Sequence, residues 1–148
     1  MKQIRIKVNK IIERFLVLIL LGMVLNVIWQ VFTRFFTSSP SAFTNELARY
    51  LMIWLGILGA AYISGKQEHV AIDFFVKKLN NSLRRFIDRF VLLSILSFAF
   101  FVMIIGGINL VYITLKLEQY SPSLQIPLAL VYSVIPISGL LIIFYKVT

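Results

Sequence analysis

From Val91 to Leu115 the chain runs 25 residues without a charged side chain. As an α-helix that stretch is about 37 Å long at 1.5 Å per residue, longer than the ~30 Å hydrocarbon core of a bilayer. Three further stretches meet the same ruler, near residues 15–33, 47–64 and 126–145, and Arg49 is the one charge inside any of them. Hydrophobic residues make up 59% of the 148-residue chain and charged ones 14%, against roughly 25% charged in soluble domains. The bilayer is therefore the solvent. The expected fold is all-α, a polytopic membrane protein with four transmembrane helices forming a single domain over residues 1–148. Short connections imply antiparallel neighbours in a compact bundle, and Pro136 should kink the fourth span because it has no backbone N–H to donate.

The same composition excludes several chemistries. With no cysteine there is no disulfide framework, thiol nucleophile or cysteine-ligated metal. With His69 as the single histidine, a bis-histidine haem within one chain is excluded and a histidine-based metal site is not expected. Paired intramembrane carboxylates, a Ser/His/Asp set and a glycine-rich phosphate loop are all missing from the sequence. The chain reads as a non-enzyme that needs no cofactor of its own.

Fifteen Lys and Arg against six Asp and Glu give a net charge of +9, and the placement of the basic residues explains it. Lys2, Arg5, Lys7, Lys10 and Arg14 precede the first span. Lys66, Lys77, Lys78, Arg84, Arg85 and Arg89 lie between the second and third, and Lys146 closes the fourth. Only Arg34 and Lys116 fall on the other side. That asymmetry places both termini and the central connection in the cytoplasm and makes the charge an orientation signal, with no nucleic-acid partner. A secretory signal peptide at the start is the competing reading, but the apolar run from Phe15 to Phe36 is longer than a signal core.

In the central connection Ile72, Phe75, Val76, Leu79 and Leu83 recur at helical spacing, with Asp73, Lys77, Asn81, Arg84 and Asp88 opposite. This predicts an amphipathic interfacial helix over about 70–89, lying on anionic membrane lipids at the cytoplasmic surface. A break near Asn80 and Asn81 would let Ser82 cap the third span. Three helix faces stand out as candidates for contact with a second membrane protein. Gly22, Asn26 and Gln30 form a stripe that continues to Arg34; Gly56, Ala60 and Ser64 form a small-xxx-small stripe; Glu46 and Arg49 share one turn. Each also has an internal reading, as bundle packing for the stripes and as a helix-end ion pair for Glu46 and Arg49. Trp29, Phe32, Phe35, Phe36, Phe43 and Tyr50 read as an interfacial aromatic belt.

The stretch NELARYLMIWLGILGAAYISGKQEHVAIDFF, with Glu46, Arg49, Trp54, Gly56, Gly59, Ala60, His69 and Asp73, resembles the small membrane subunit of tripartite ATP-independent periplasmic (TRAP) transporters. The later YSPSLQIPLALVYSVIPISG, with Ser121, Pro122, Pro127, Tyr132 and Pro136, is similar to the corresponding end of that family. The resemblance implies a subunit of the bacterial inner membrane in a system importing organic acids such as dicarboxylates or sialic acid. It also implies two partners. A large membrane subunit would bind the coupling sodium and substrate, and a periplasmic substrate-binding protein would dock on the outer connections, where Arg34, Lys116 and Glu118 are the charged residues. His69 and Asp73 read as hydrogen-bonded structure and a helix-start charge. The alternatives are a stand-alone proton-coupled four-helix exporter, which lacks the carboxylate it needs well inside a span, and an assembly factor for another membrane complex.

Overall fold

A computed structural model describes residues 2–36, 42–66 and 81–147. Its helices are α1 (Lys2–Phe36), α2 (Ala42–Gly65), α3 (Asn81–Phe98), a π-helical segment (Ala99–Gly106), α4 (Gly107–Lys116), α5 (Leu128–Tyr132) and α6 (Val134–Val147). Grouped by length and apolarity they give four membrane spans: α1, α2, α3 through α4, and α5 with α6.

The first helix starts far ahead of its apolar part. Residues 2–14 contain neither glycine nor proline, so nothing in the local sequence stops the helix from running outward. Tertiary contacts hold this extension: Ile12 is buried and the Arg5 guanidinium donates to the carbonyl oxygen of Gly65, one of the free acceptors at the end of α2. The third span also starts early. Because α3 begins at Asn81, Ser82 lies within the helix and not ahead of it. Residues 81–89 are thus the outer turns of the third span, with Leu83 exposed. Ile72, Phe75, Val76 and Leu79 lie outside the described residues, as do His69 and Asp73.

Pro136 acts as expected, with its effect displaced toward the N-terminus. Its ring excludes the carbonyl of residue 132 and it offers that carbonyl no donor; the helix accordingly breaks between Tyr132 and Val134, with Ser133 as the turn.

The spans form a row instead of the expected compact bundle. In space the order is first, second, fourth, third: α1 packs on α2, α2 on α6, and α6 on the π-helical segment. Ile19, Leu58 and Val134 mark the core where α1, α2 and α6 meet. The fourth span is central, with 39% of its most apolar window buried against 11% for each of the others. A row leaves two broad apolar faces and two edge helices for lipid or protein to cover, which is why Leu18, Leu25, Leu93 and Phe101 are all more than half exposed.

The helices are also offset along the row. Arg5, Gly65 and Tyr145 sit at one level, because Arg5 bonds Gly65 and lies 5.9 Å from the Tyr145 ring centre. On α1 the last charge before the apolar run, Arg14, lies nine residues beyond Arg5, about 13 Å further along the helix. At the opposite end α1 again overshoots, running about 15 Å past Asn26, whose partner Thr44 lies in the first turn of α2.

Candidate functional site

Both chain ends and the exit of α2 meet at one end of the row, as the Arg5, Gly65 and Tyr145 contacts require. The opposite end carries the most elaborated polar structure among the described residues, built on Glu46 in the second turn of α2 and on residues 117–127 between α4 and α5.

That connection is stapled by its own backbone. Leu128 N–H donates to Gln119 O at 2.9 Å, Ser121 N–H to Ile126 O at 2.9 Å, and Gln125 N–H to Ser121 O at 3.0 Å, with Tyr120 and Pro127 bridged antiparallel. Glu118 and Gln125 take positive φ of 48° and 53°, a left-handed conformation that non-glycine residues seldom adopt. Inside the loop, Glu46 Oε2 accepts from the Ser121 hydroxyl and from the backbone N–H groups of Ser123 and Leu124, both at 3.1 Å. Adjacent N–H groups converging on one oxygen make an anion-holding concavity, and here an intrachain carboxylate fills it. Ser121 is 1% exposed. The expected ion pair with Arg49 is therefore not what orients this carboxylate. Arg49 is exposed and acts on Glu46 only through its charge, because three well-placed donors on the loop outcompete a solvated guanidinium one turn away.

Of the stripe on α1, Asn26 turns inward. It is 8% exposed, and its Nδ2 donates to Thr44 O at 2.8 Å, tying the two helices together inside the membrane. Gln30 and Gly22 are half-buried and Arg34 is exposed. Above Asn26, the rings of Trp29 and Phe32 stack at 6.0 Å and those of Phe32 and Phe36 at 4.3 Å on the overshooting turns of α1. A cavity of about 660 Å³ runs beneath them, lined by Gly22, Asn26, Trp29, Phe32, Phe43 and Leu47.

The stripe on α2 faces away from its own chain. Gly56 and Ala60 are exposed and Ser64 is half-buried, and a Cβ placed on Gly56 meets nothing within 4 Å. Close internal packing uses three other glycines. A Cβ on Gly139 would stand 2.9 Å from Met103 Cβ and 3.1 Å from Ala99 O; one on Gly107, 2.9 Å from Pro136 Cδ; one on Gly65, 2.7 Å from the Tyr145 ring. The π-helical turns are the part of the third span that meets Gly139, and their wider winding presents Ala99 and Met103 to it. Of the charged outer residues, Lys116 and Glu118 are exposed at the mouth of the stapled loop.

Sequence reasoning had named Glu46 and Ser121 separately but missed their contact, because 75 residues separate them. It missed Gly107 and Gly139 because they sit in stretches apolar on every side, where periodicity gives no sign of which face is buried.

Four apolar spans in a row, with broad faces that the described residues leave uncovered, define a polytopic helical membrane protein built to contact lipid or a second membrane protein. Residues 23–148 match the sequence profile of tripartite ATP-independent periplasmic transporters, DctQ component, and the chain belongs to that family. It is 30% identical over 138 residues to a putative TRAP transporter small permease protein of Haemophilus influenzae, covering 91% of this chain and 82% of that one. Over 102 residues it is 36% identical to the C4-dicarboxylate TRAP transporter small permease protein DctQ of Rhodobacter capsulatus, covering 68% of this chain and 44% of the relative. A third match, 36% identical over 66 residues, covers 45% of this chain and only 11% of the sialic acid TRAP transporter permease protein SiaT of another Haemophilus influenzae strain. The chain thus spans less than half of the length of two of these three relatives.

Proposed function

We propose that this chain is the small subunit of a sodium-coupled, binding-protein-dependent importer of an organic acid, a dicarboxylate or sialic acid. It packs against a large membrane subunit as a fixed scaffold and helps dock the periplasmic binding protein. The observation that carries this reading is a TRAP family match over a four-span row with uncovered faces. A carrier that moved substrate by itself would enclose a polar site among its spans. Here the buried polar side chains at the helix contacts are scattered singly, Asn26 bonded to the Thr44 carbonyl oxygen and the Ser138 hydroxyl standing alone in the fourth span without a hydrogen-bond partner among the described residues. The match to part of a much longer permease protein supports a large partner, since a stretch similar to 66 residues of this chain occurs there within a single larger chain. The positive-inside asymmetry supports cytoplasmic termini in the inner membrane, which makes the stapled loop periplasmic. Sodium and substrate are assigned to the large subunit, leaving this chain without a cofactor.

The test is uptake by proteoliposomes containing the large subunit and the binding protein, with and without this chain, after co-purification has established assembly. Uptake that depends on the chain and on a sodium gradient is the expected result. An isolated homodimer that neither assembles nor affects uptake would return the exporter or assembly-factor readings.

Two further outcomes are expected of the assembled complex. Reversing the outer charges, Arg34→Glu with Lys116→Glu and Glu118→Lys, should raise several-fold the concentration of binding protein needed for half-maximal uptake; unchanged kinetics would remove these residues from the docking surface. In the central connection, Phe75→Ala with Leu79→Ala takes the apolar anchor off the interfacial arm and should lower the uptake rate without altering the sodium-to-substrate ratio. An assembled variant with full uptake would leave the arm no part in bracing the scaffold.

A further inference from the structure

We propose that Glu46 is a positioning residue whose carboxylate holds the 117–127 loop in one preformed shape for the periplasmic binding protein. This rests on the docking role proposed above and assigns a residue to it that is not itself on the docking surface. The geometry points to Glu46 because its carboxylate ties the stapled Ser121 to the N–H groups of Ser123 and Leu124, which the loop's own backbone bonds do not engage. The staples close the base, through Gln119 with Leu128 and Ser121 with Ile126. The tip at Ser123 and Leu124 is held by Glu46 Oε2, with Leu124 N–H at 3.3 Å from the Ser121 hydroxyl oxygen as a weaker second acceptor.

Two features make the loop suited to a docking surface and not merely a connection. Its outward residues, Lys116, Glu118, Gln119, Tyr120, Pro122 and Ser123, are exposed on a backbone that is tied throughout, so a partner meets side chains whose backbone is already ordered. Preordering of this kind raises affinity by removing the ordering cost that binding otherwise carries. Second, the tie comes from a different span. Through Glu46 the loop between the third and fourth spans is fixed to the second, whose first turn is itself held to the first by Asn26. The 117–127 loop and the start of α2 are thereby both tied to α1.

The chain has no cysteine, so a spin label at Gln119→Cys reports on this loop alone within the chain. In the assembled complex, Glu46→Ala should increase the mobility of that label. Glu46→Gln keeps an acceptor of the same length and should give an intermediate spectrum. Uptake, with labelled succinate and labelled sialic acid offered in turn, should show about a fivefold rise in the binding-protein concentration for half-maximal rate in Glu46→Ala. The maximal rate should be unchanged, with partial rescue in Glu46→Gln. A label as immobile in Glu46→Ala as in the parent overturns the positioning role, whatever becomes of docking. A mobile label with unchanged half-maximal concentration shows that Glu46 fixes the loop but that the loop is not where the binding protein docks; that result overturns this proposal together with the docking reading. A fall in maximal rate alone overturns it as well, because a positioning role in docking acts on the encounter and not on the transport step.

Discussion

Gly139→Leu is expected to separate the third span from the fourth and to cost the chain about 3 kcal/mol or more of stability. The added Cβ alone would lie 2.9 Å from Met103 Cβ and 3.1 Å from a backbone carbonyl oxygen, and neither atom is the free end of a flexible side chain. Relief has to come from moving a helix. Gly107→Leu should act in the same direction, since it meets the Pro136 ring and backbone nitrogen. The control lies in the same chain: Gly59→Ala meets nothing within 4 Å and exchanges a poor helix former for a good one, so it should be neutral or stabilising by up to about 1 kcal/mol. Thermal unfolding in detergent of the three variants beside the parent decides the matter. Equal midpoints for Gly139→Leu and the parent would mean that the third span does not pack on the fourth as described.

The second large effect concerns assembly. Gly56→Leu with Ala60→Leu puts two large side chains on a face of α2 that its own chain leaves open. In the isolated chain these substitutions should leave the unfolding midpoint nearly unchanged, because no neighbouring atom lies near a Cβ at Gly56. If that face receives a helix of the large subunit, close approach is lost, and the variant should fail to co-purify with it or give uptake at background level. Full assembly and full uptake would show that this face meets lipid. The contrast with Gly139 is informative because both are small residues in apolar helices: Gly139 is small for its own chain, whereas none of the described residues requires Gly56 to be small.

The row forms a wall whose apolar faces and edge helices are left for lipid or a partner to cover. The clamp from Glu46 and the bond from Arg5 secure the two ends of that wall with groups contributed by different spans.

Much of this was legible in the sequence because transfer into hydrocarbon is a local property. An uncharged run such as 91–115 specifies a membrane helix wherever it lies in the chain. Pro136 broke its helix for a reason internal to the residue. The family resemblance, too, rested on motifs read from the sequence. Hydrophobicity does not say which side of an apolar helix is buried, since lipid and protein are nearly equivalent surroundings for leucine. Tertiary structure alone therefore decided that the spans stand in a row with the fourth at the centre. It likewise decided that the third winds as a π-helix against Gly139 and that Gly56 and Ala60 of α2 face outward. The same holds for Glu46. Its place near a helix start favoured a charge there, but only the fold brought it to Ser121, 75 residues away, where the backbone of a folded loop offers donors that no sequence pattern displays.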